Sequence, residues 1–262
     1  MARSEPQAEP TSKPEPAADT PKPKWKHGWR AFLLEIGTIV IGVLIALVAE
    51  QVVDTLRWNE TVGQAEHAIR LELRDDDDPQ AYARLAISGC IDRSLDAIQA
   101  AVDAGQTNAQ VNALARGYRL AFRTWDMEAW RAMLASDAAS HIPPERMIMW
   151  STPYQVIPTL SEMNAREAAT ADDLMANRHR AGPLAEGDAE RITLAVQRLR
   201  GMNHAMTASS QVLLAASRDV GVTVPPDVKR KTLAQVRSGY GPCVVEPPPE
   251  SALVAGQVAL QR

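Results

Sequence analysis

The strongest feature of the hydrophobic pattern is an apolar run near the N-terminus. Residues 31–53 carry charge only at Glu35 and Glu50, close to the two ends of the run. A hydrocarbon core of about 30 Å needs roughly 20 helical residues, so the run is long enough to cross a bilayer. Trp29 precedes it and Trp58 follows it, which places indoles in both membrane interfaces. We therefore predict one transmembrane helix with interfacial flanks over residues 25–58, with the lipid bilayer as its partner.

A buried helix of a soluble protein and a cleaved signal peptide can both contain an apolar run of this kind. A signal peptide has a short basic leader and a cleavage site with small residues at two set positions. Here a long leader reaches to Arg30, and the stretch Ala46–Ala49 does not place small residues at both required positions. A retained signal anchor fits the pattern better.

Basic residues flank the run unevenly. A basic group without an intervening acid precedes it, formed by Lys22, Lys24, Lys26 and Arg30. Arg57 is the only basic residue shortly after it. Because basic flanks stay on the cytoplasmic side, we expect a cytoplasmic N-terminus. The C-terminal domain would then be periplasmic, in a bacterial inner membrane.

The rest of the chain has apolar residues at helical spacing. From about Thr55 onward they recur every three or four positions, and the short alternating pattern of β-hairpins is absent. Three apolar stripes are predicted, formed by Leu85, Ile91, Leu95, Ile98 and Val102, by Val111, Leu114, Tyr118 and Phe122, and by Ile192, Val196, Leu199, Met206 and Leu213. Residues 161–180 are predicted as a further helix. We expect an all-α fold, with an antiparallel helical bundle after the transmembrane helix.

The predicted helix boundaries depend on capping residues. Asp78 before Pro79 is typical of an N-cap followed by a first-turn proline, so a helix is predicted to begin there and to run to Gly105. The consecutive acids Asp75–Asp78 lack the alternation and the turn glycine of a calcium loop. We interpret them as a solvated helix boundary with a capping acid. The stripe that begins at Ile192 is predicted to end at Gly221.

Proline-rich segments bound the helical part. Residues 1–24 contain six prolines and no aromatic residue. Such a composition does not bury enough apolar surface to offset the entropy of ordering. We expect a disordered cytoplasmic tail at 1–24, an exoplasmic helical domain at 59–240 and a proline-rich C-terminal tail at 241–262.

The anchor resembles one family of bacterial membrane proteins. The matching motifs are Phe32-Leu-Leu-Glu-Ile36, Ile41-Gly-Val-Leu-Ile-Ala-Leu47 and Trp58-Asn-Glu60, with a looser match at Thr124–Leu134 and at Pro143-Pro-Glu145. They are similar to a family of single-pass proteins of unknown function with a helical exoplasmic domain. The sequence departs from that family at Gln51–Asp54, where an asparagine-rich turn is more frequent. The resemblance implies this topology and supplies no catalytic residues.

The residue types that carry catalysis form no recognisable motif in the sequence. The five histidines lie far apart, without the spacing of a zinc site: His27, His67, His141, His179 and His204. No nucleophile elbow and no glycine-rich phosphate loop occurs. The net charge of -4 gives no basic excess for binding nucleic acid. We predict that the protein is not an enzyme, with no catalytic, cofactor-binding or metal-binding residues.

One face of the predicted span consists of small or polar residues. These residues recur at intervals of three and four positions: Glu35, Thr38, Gly42, Ala46 and Ala49. Small residues let a second helix approach closely, although Gly and Ala are also common in membrane helices without that role. We predict a helix-packing face, with a second copy of the chain or another membrane protein as its partner.

The chain contains two cysteines, Cys90 in a predicted helix and Cys243 in the proline-rich tail. In an oxidising compartment they would pair and attach the tail to the bundle. The alternative is two separate buried thiols. We predict the disulfide.

Aromatic residues cluster in the middle of the chain, at Tyr118, Phe122, Trp125, Trp130, Trp150 and Tyr154. They could line a ligand pocket, but aromatic residues at helical spacing more often form a core.

Three function classes follow from the layout. A membrane-anchored interaction or scaffold protein within a membrane assembly is the first. A ligand-binding sensory domain acting through a partner is the second, and a periplasmic enzyme is the third.

Overall fold

A computed structural model of the chain describes residues 28–121, 123–175 and 179–252, without the side chains of Ala31 and Glu250. This part of the chain is helical and contains no β-strand, which confirms the all-α prediction. Its helices are α1 (Gly28–Glu72), α2 (Asp78–Asp103), α3 (Asn108–Gly117), α4 (Glu128–Ala135), α5 (Ala138–His141), α6 (Pro144–Leu174), α7 (Glu186–Asp219) and α8 (Pro226–Tyr240). A π-helical turn, Leu73–Asp77, joins α1 to α2. The predicted tail at 1–24, Phe122 and the last part of the predicted tail at 241–262 lie outside the described residues.

The chain divides into two compact units, Met1–Thr55 and Leu56–Arg262. The described residues of the first unit belong to α1. Its apolar stretch has a mean hydropathy of 2.6 over an 18-residue window, and no residue of that window is buried. Leu34 and Ile45, for example, are 73% and 64% exposed. By length and composition, the described part of the chain contains one helix able to cross a membrane, near the N-terminus.

Helices α2, α6 and α7 form the centre of the second unit. Helices α2 and α7 are antiparallel: Ser217 donates to Asp78 at 2.8 Å towards one end, and Gln99 donates to Thr193 at 3.1 Å towards the other. Helix α6 packs on α7, whereas α3 and α8 pack on α2. The apolar stripes of these helices meet in one core, as expected for a helical bundle.

The predicted apolar stripes agree with this core in two helices and only partly in the third. The predicted stripe of α7 is buried throughout, and that of α2 is buried except at Leu85, which is partly buried. In α3, Val111 is buried but Leu114 is 37% exposed. Helix α3 ends at Gly117, so the helical period does not continue to Tyr118.

Helix α2 begins at Asp78 with Pro79 in its first turn, as predicted, but Asp78 is not an N-cap, so that part of the prediction is wrong. The backbone stays helical through Leu73–Asp77, and Asp77 makes no capping hydrogen bond to the helix. Asp75 and Asp76 are exposed, as predicted for a solvated segment, but Asp77 and Asp78 are 0% and 1% exposed. A π turn shifts the helical register by one residue relative to an α-helix, which brings these two side chains into the core. The backbone N–H of Asp126 donates a hydrogen bond to the carboxylate of Asp77 at 3.1 Å, and the hydroxyl of Ser217 donates one to Asp78.

Helix α6 begins earlier and ends earlier than the helix predicted at 161–180, so both predicted ends are wrong. It begins at Pro144, includes Pro153 and Pro158, and ends at Leu174. Pro144 occupies the first turn, where a missing N–H costs no hydrogen bond. The sequence pattern does not predict the first half of this helix, because it contains internal prolines and proline usually ends a helix.

Two glycines mark helix ends near the predicted positions. Helix α2 ends at Asp103, and Gly105 follows with a φ of 65°. Helix α7 ends at Asp219, and Gly221 follows with a φ of 78°. Glycine adopts this left-handed conformation without the strain that a Cβ atom would cause.

Candidate functional site

The residues of the predicted helix-packing face all lie on α1 and are exposed: Glu35, Thr38, Gly42, Ala46 and Ala49. The hydroxyl of Thr38 donates to the carbonyl of Leu34 at 2.9 Å, so its polar group is satisfied within the helix. A Cβ atom added to Gly42 would meet nothing within 4 Å. This face is therefore open along the described part of the helix, and its role in packing stays a prediction.

The structure places Cys90 and Cys243 in a disulfide, with their Cα atoms 5.3 Å apart. Two further contacts hold the same segment on α2. Arg93 donates to the carbonyl of Cys243 at 2.7 Å, and the N–H of Val245 donates to the carbonyl of Ala86 at 3.1 Å. Residues 241–245, in the predicted C-terminal tail, thus pack against the bundle.

The aromatic cluster forms core packing in the described residues. Trp130 and Tyr154 are buried and stacked, with ring centroids 5.0 Å apart. Tyr154 donates to Glu72 at 2.7 Å, and the N–H of Ala129 at the start of α4 donates to the other carboxylate oxygen of Glu72, also at 2.7 Å. Trp150 is buried too. These rings and Glu72 fix α4 and α6 to the end of α1.

Asp77 is the most perturbed acid of this region. One of its oxygens accepts a backbone N–H, and the other has no hydrogen-bond partner among the described residues. Burial raises the pKa of Asp77 to about 8, and the nearby charges of Glu72, Asp126 and Asp76 act in the same direction. Asp77 is therefore largely protonated at neutral pH, which avoids a buried charge.

A second buried polar group lies at the centre of the bundle. Arg84 and Glu167 are fully buried and form a bidentate ion pair at 2.8 and 3.0 Å. Arg84 also donates to Asn203 at 2.9 Å, and Tyr118 donates to Glu167 at 3.2 Å. The network joins α2, α6 and α7. Its components are common in structural cores, and nothing in its geometry indicates a reaction.

An open groove runs between α6 and α7. It has a volume of about 640 Å³, within the usual range of about 300–1,000 Å³ for small-molecule clefts. Its residues are Thr159, Glu162, Met163, Arg166, Ala169, Thr170, Arg198, Gly201, Met202 and Ala205. The groove is open because Ala169, Gly201 and Ala205 have small side chains or none. The half-buried Met163 and Met202 line it with flexible apolar side chains.

Charged groups border this apolar groove. Glu162 and Arg166 pair with each other on α6, and both are well exposed. Arg198 is exposed on α7. An apolar groove with charged edges suits an amphipathic partner such as a helix. The groove was not predicted from the sequence, although the spacing of Gly201 and Ala205, four residues apart, is a signal for close helix approach.

No group of three His, Cys, Asp or Glu residues suited to a metal ion occurs in the part of the chain that the structure describes. His141 stacks on Trp58, with ring centroids 3.9 Å apart, and His204 lies 3.6 Å from Asp92. Both histidines therefore contact side chains of neighbouring helices. No family model, no curated protein and no solved structure matches the chain.

Proposed function

We propose that this chain is a membrane-anchored interaction protein, whose helical unit holds a partner at the outer face of the bacterial inner membrane. The single observation that carries the proposal is the groove between α6 and α7, with its small residues, methionines and charged edges. Such grooves receive the apolar face of an amphipathic helix. The apolar stretch of α1 tethers the unit, and the exposed face at Gly42 supports a second contact within the bilayer.

The ligand-binding sensor is the second candidate. In this role the unit would bind a ligand and act through a partner that passes the signal on. The enzyme alternative has no support from the contacts described above, because none of them brings an exposed nucleophile together with a base. The interaction role therefore accounts for more of the observed surface.

Filling the groove tests the interaction role. In Gly201→Leu the new side chain would occupy the groove, and a Cβ atom there meets nothing within 4 Å. Leucine also has a higher helix propensity than glycine, by about 1 kcal/mol, so the fold should be preserved. Gly187→Leu is the matched control, since Gly187 lies on the same helix, is exposed and has equally free space around it.

The measurement is co-purification of the tagged full chain from mild detergent, with quantitative mass spectrometry. We expect a stoichiometric membrane partner with the natural chain and with Gly187→Leu, and its loss with Gly201→Leu. Equal recovery of the partner with both variants would refute the groove as its binding surface. Recovery of a small molecule without a protein partner would favour the sensor.

Topology needs its own test. A C-terminal fusion to a reporter enzyme that is active only outside the cytoplasm should be active, and an inactive fusion would overturn the periplasmic location.

The helix-packing face is tested by crosslinking. Single cysteines introduced along α1 should crosslink between chains with a period of three to four residues, with maxima at Gly42 and Ala46. Crosslinking without that period would exclude the helix-packing face.

A further inference from the structure

Two arginines from different helices share one buried carboxylate at the edge of the second unit. Glu66 of α1 has a side chain only 5% exposed, and it contacts Arg146 of α6 and lies 3.9 Å from Arg70 of α1. The indole N–H of Trp150 also donates to Glu66, at 3.2 Å. The guanidinium of Arg70 lies over the ring of Trp150, 4.9 Å from its centroid. These contacts hold both guanidinium groups in place before any ligand arrives.

The charges of this group do not balance. Two guanidinium cations face one carboxylate, which leaves a net charge of about +1 at normal pH. Each guanidinium has five N–H donors, and Glu66 has only two oxygens, one of which also accepts from Trp150. The side chains of Arg70 and Arg146 are 48% and 50% exposed. Part of their donor capacity is therefore available to an anion from solvent.

A cleft adjoins these two arginines. It has a volume of about 210 Å³, below the range of about 300–1,000 Å³ for drug-sized ligands, and is lined by Arg70, Arg146, Met149, Trp150, Asp219 and Val220. Asp219, at the end of α7, supplies the one carboxylate of the lining, and Arg218 donates to its Oδ1 at 3.0 Å. Cations and a carboxylate thus share one small cleft with apolar side chains.

We propose that this cleft binds a small zwitterion of the α-amino acid class. The carboxylate of the ligand would pair with Arg70 and Arg146, and its ammonium group would pair with Asp219. An apolar side chain would contact Met149 and Val220. Arg218 engages only Oδ1 of Asp219, so Oδ2 still faces a bound anion with like charge, whereas the ammonium group of a zwitterion can pair with that oxygen. The site does not depend on the interaction role of the groove, which lies elsewhere on α6 and α7.

Thermal unfolding of the full chain in detergent, with each standard L-amino acid at millimolar concentration, tests this proposal. We expect at least one amino acid to raise the midpoint. Its amine lacking the carboxylate and its acid lacking the ammonium should each bind at least about tenfold more weakly. If no amino acid shifts the midpoint, or if the acid alone binds as tightly, the zwitterion site is refuted.

Variants assign the contacts to this cleft. Asp219→Asn changes an exposed side chain, so it should fold, and it should remove the preference for the amino acid over its deaminated acid. Arg146→Gln should weaken both ligands. Arg131→Gln, an exposed arginine of α4 outside the cleft, is the control and should leave both affinities unchanged. Unchanged binding in both cleft variants would refute the site even if an amino acid binds to the chain.

Discussion

Asp77→Asn should make the second unit more stable at neutral and alkaline pH. The side chain is 0% exposed, and burial raises its pKa to about 8. At low pH the acid is protonated in both the folded and the unfolded chain. As the pH rises, the unfolded chain loses this proton first, so the natural protein loses stability until the folded pKa is passed. Asparagine is neutral at every pH, and the variant does not undergo this loss.

The size of the effect follows from the difference between the two pKa values. One pKa unit corresponds to about 1.4 kcal/mol. The unfolded acid has a pKa of about 3.9, and pH 7 lies roughly three pH units above that value. The natural protein therefore loses about 4 kcal/mol of unfolding free energy at pH 7. For a chain of this size, 1 kcal/mol shifts the midpoint by about 2–4 °C, which makes the expected shift on the order of 10 °C.

The assay is thermal unfolding of the full chain in detergent, from pH 4 to pH 9, followed by circular dichroism. The difference in midpoint between Asp77→Asn and the natural chain should be small at pH 4 and should grow up to about pH 8. Asp137→Asn is the control, because Asp137 is an exposed acid of the same unit that lies outside this turn. A constant difference across this range would refute the reasoning, since it would mean that Asp77 is already ionised in the folded chain.

Two further predictions concern the links between helices. Reduction of the disulfide, or Cys90→Ser with Cys243→Ser, should destabilise the second unit by about 2–4 kcal/mol, measured by thermal unfolding; an unchanged midpoint after reduction would refute this stabilisation. Arg84→Met should cost about 3–5 kcal/mol in denaturant unfolding because it leaves Glu167 buried without its cation. Adding Glu167→Met should recover most of that loss, whereas Arg131→Met should change stability by less than about 0.5 kcal/mol. A double variant as unstable as Arg84→Met would contradict this role of the ion pair.

Periodicity predicted the elements whose apolar faces are regular. The stripe of α7 and most of that of α2 lie in the core, because a surface helix of a bundle must bury one stripe. The sequence predicts a solvated cap at Asp78 because its hydrogen-bond partner Ser217 lies 139 positions away, so no local pattern indicates that Asp78 is buried. Arg84 shows the same limit. A charge on an apolar stripe signals a buried partner, but only the fold identifies Glu167.

These buried polar groups also determine the groove, because Asp78 acts on the placement of α7 and Arg84 acts on the placement of both α6 and α7. Asp78 fixes the end of α7 through Ser217, and Arg84 binds Glu167 on α6 and Asn203 on α7 at the same time. An apolar core would tolerate small slides of these helices, whereas each of these polar contacts is lost when its helix moves by one residue. Glu167 lies between the groove residues Met163 and Ala169 along α6, and Asn203 is the next residue after Met202 on α7. The relative position of α6 and α7 that lets Arg84 bind both Glu167 and Asn203 is therefore also the position that forms the groove. Arg84→Met should weaken partner binding even where the helices still form.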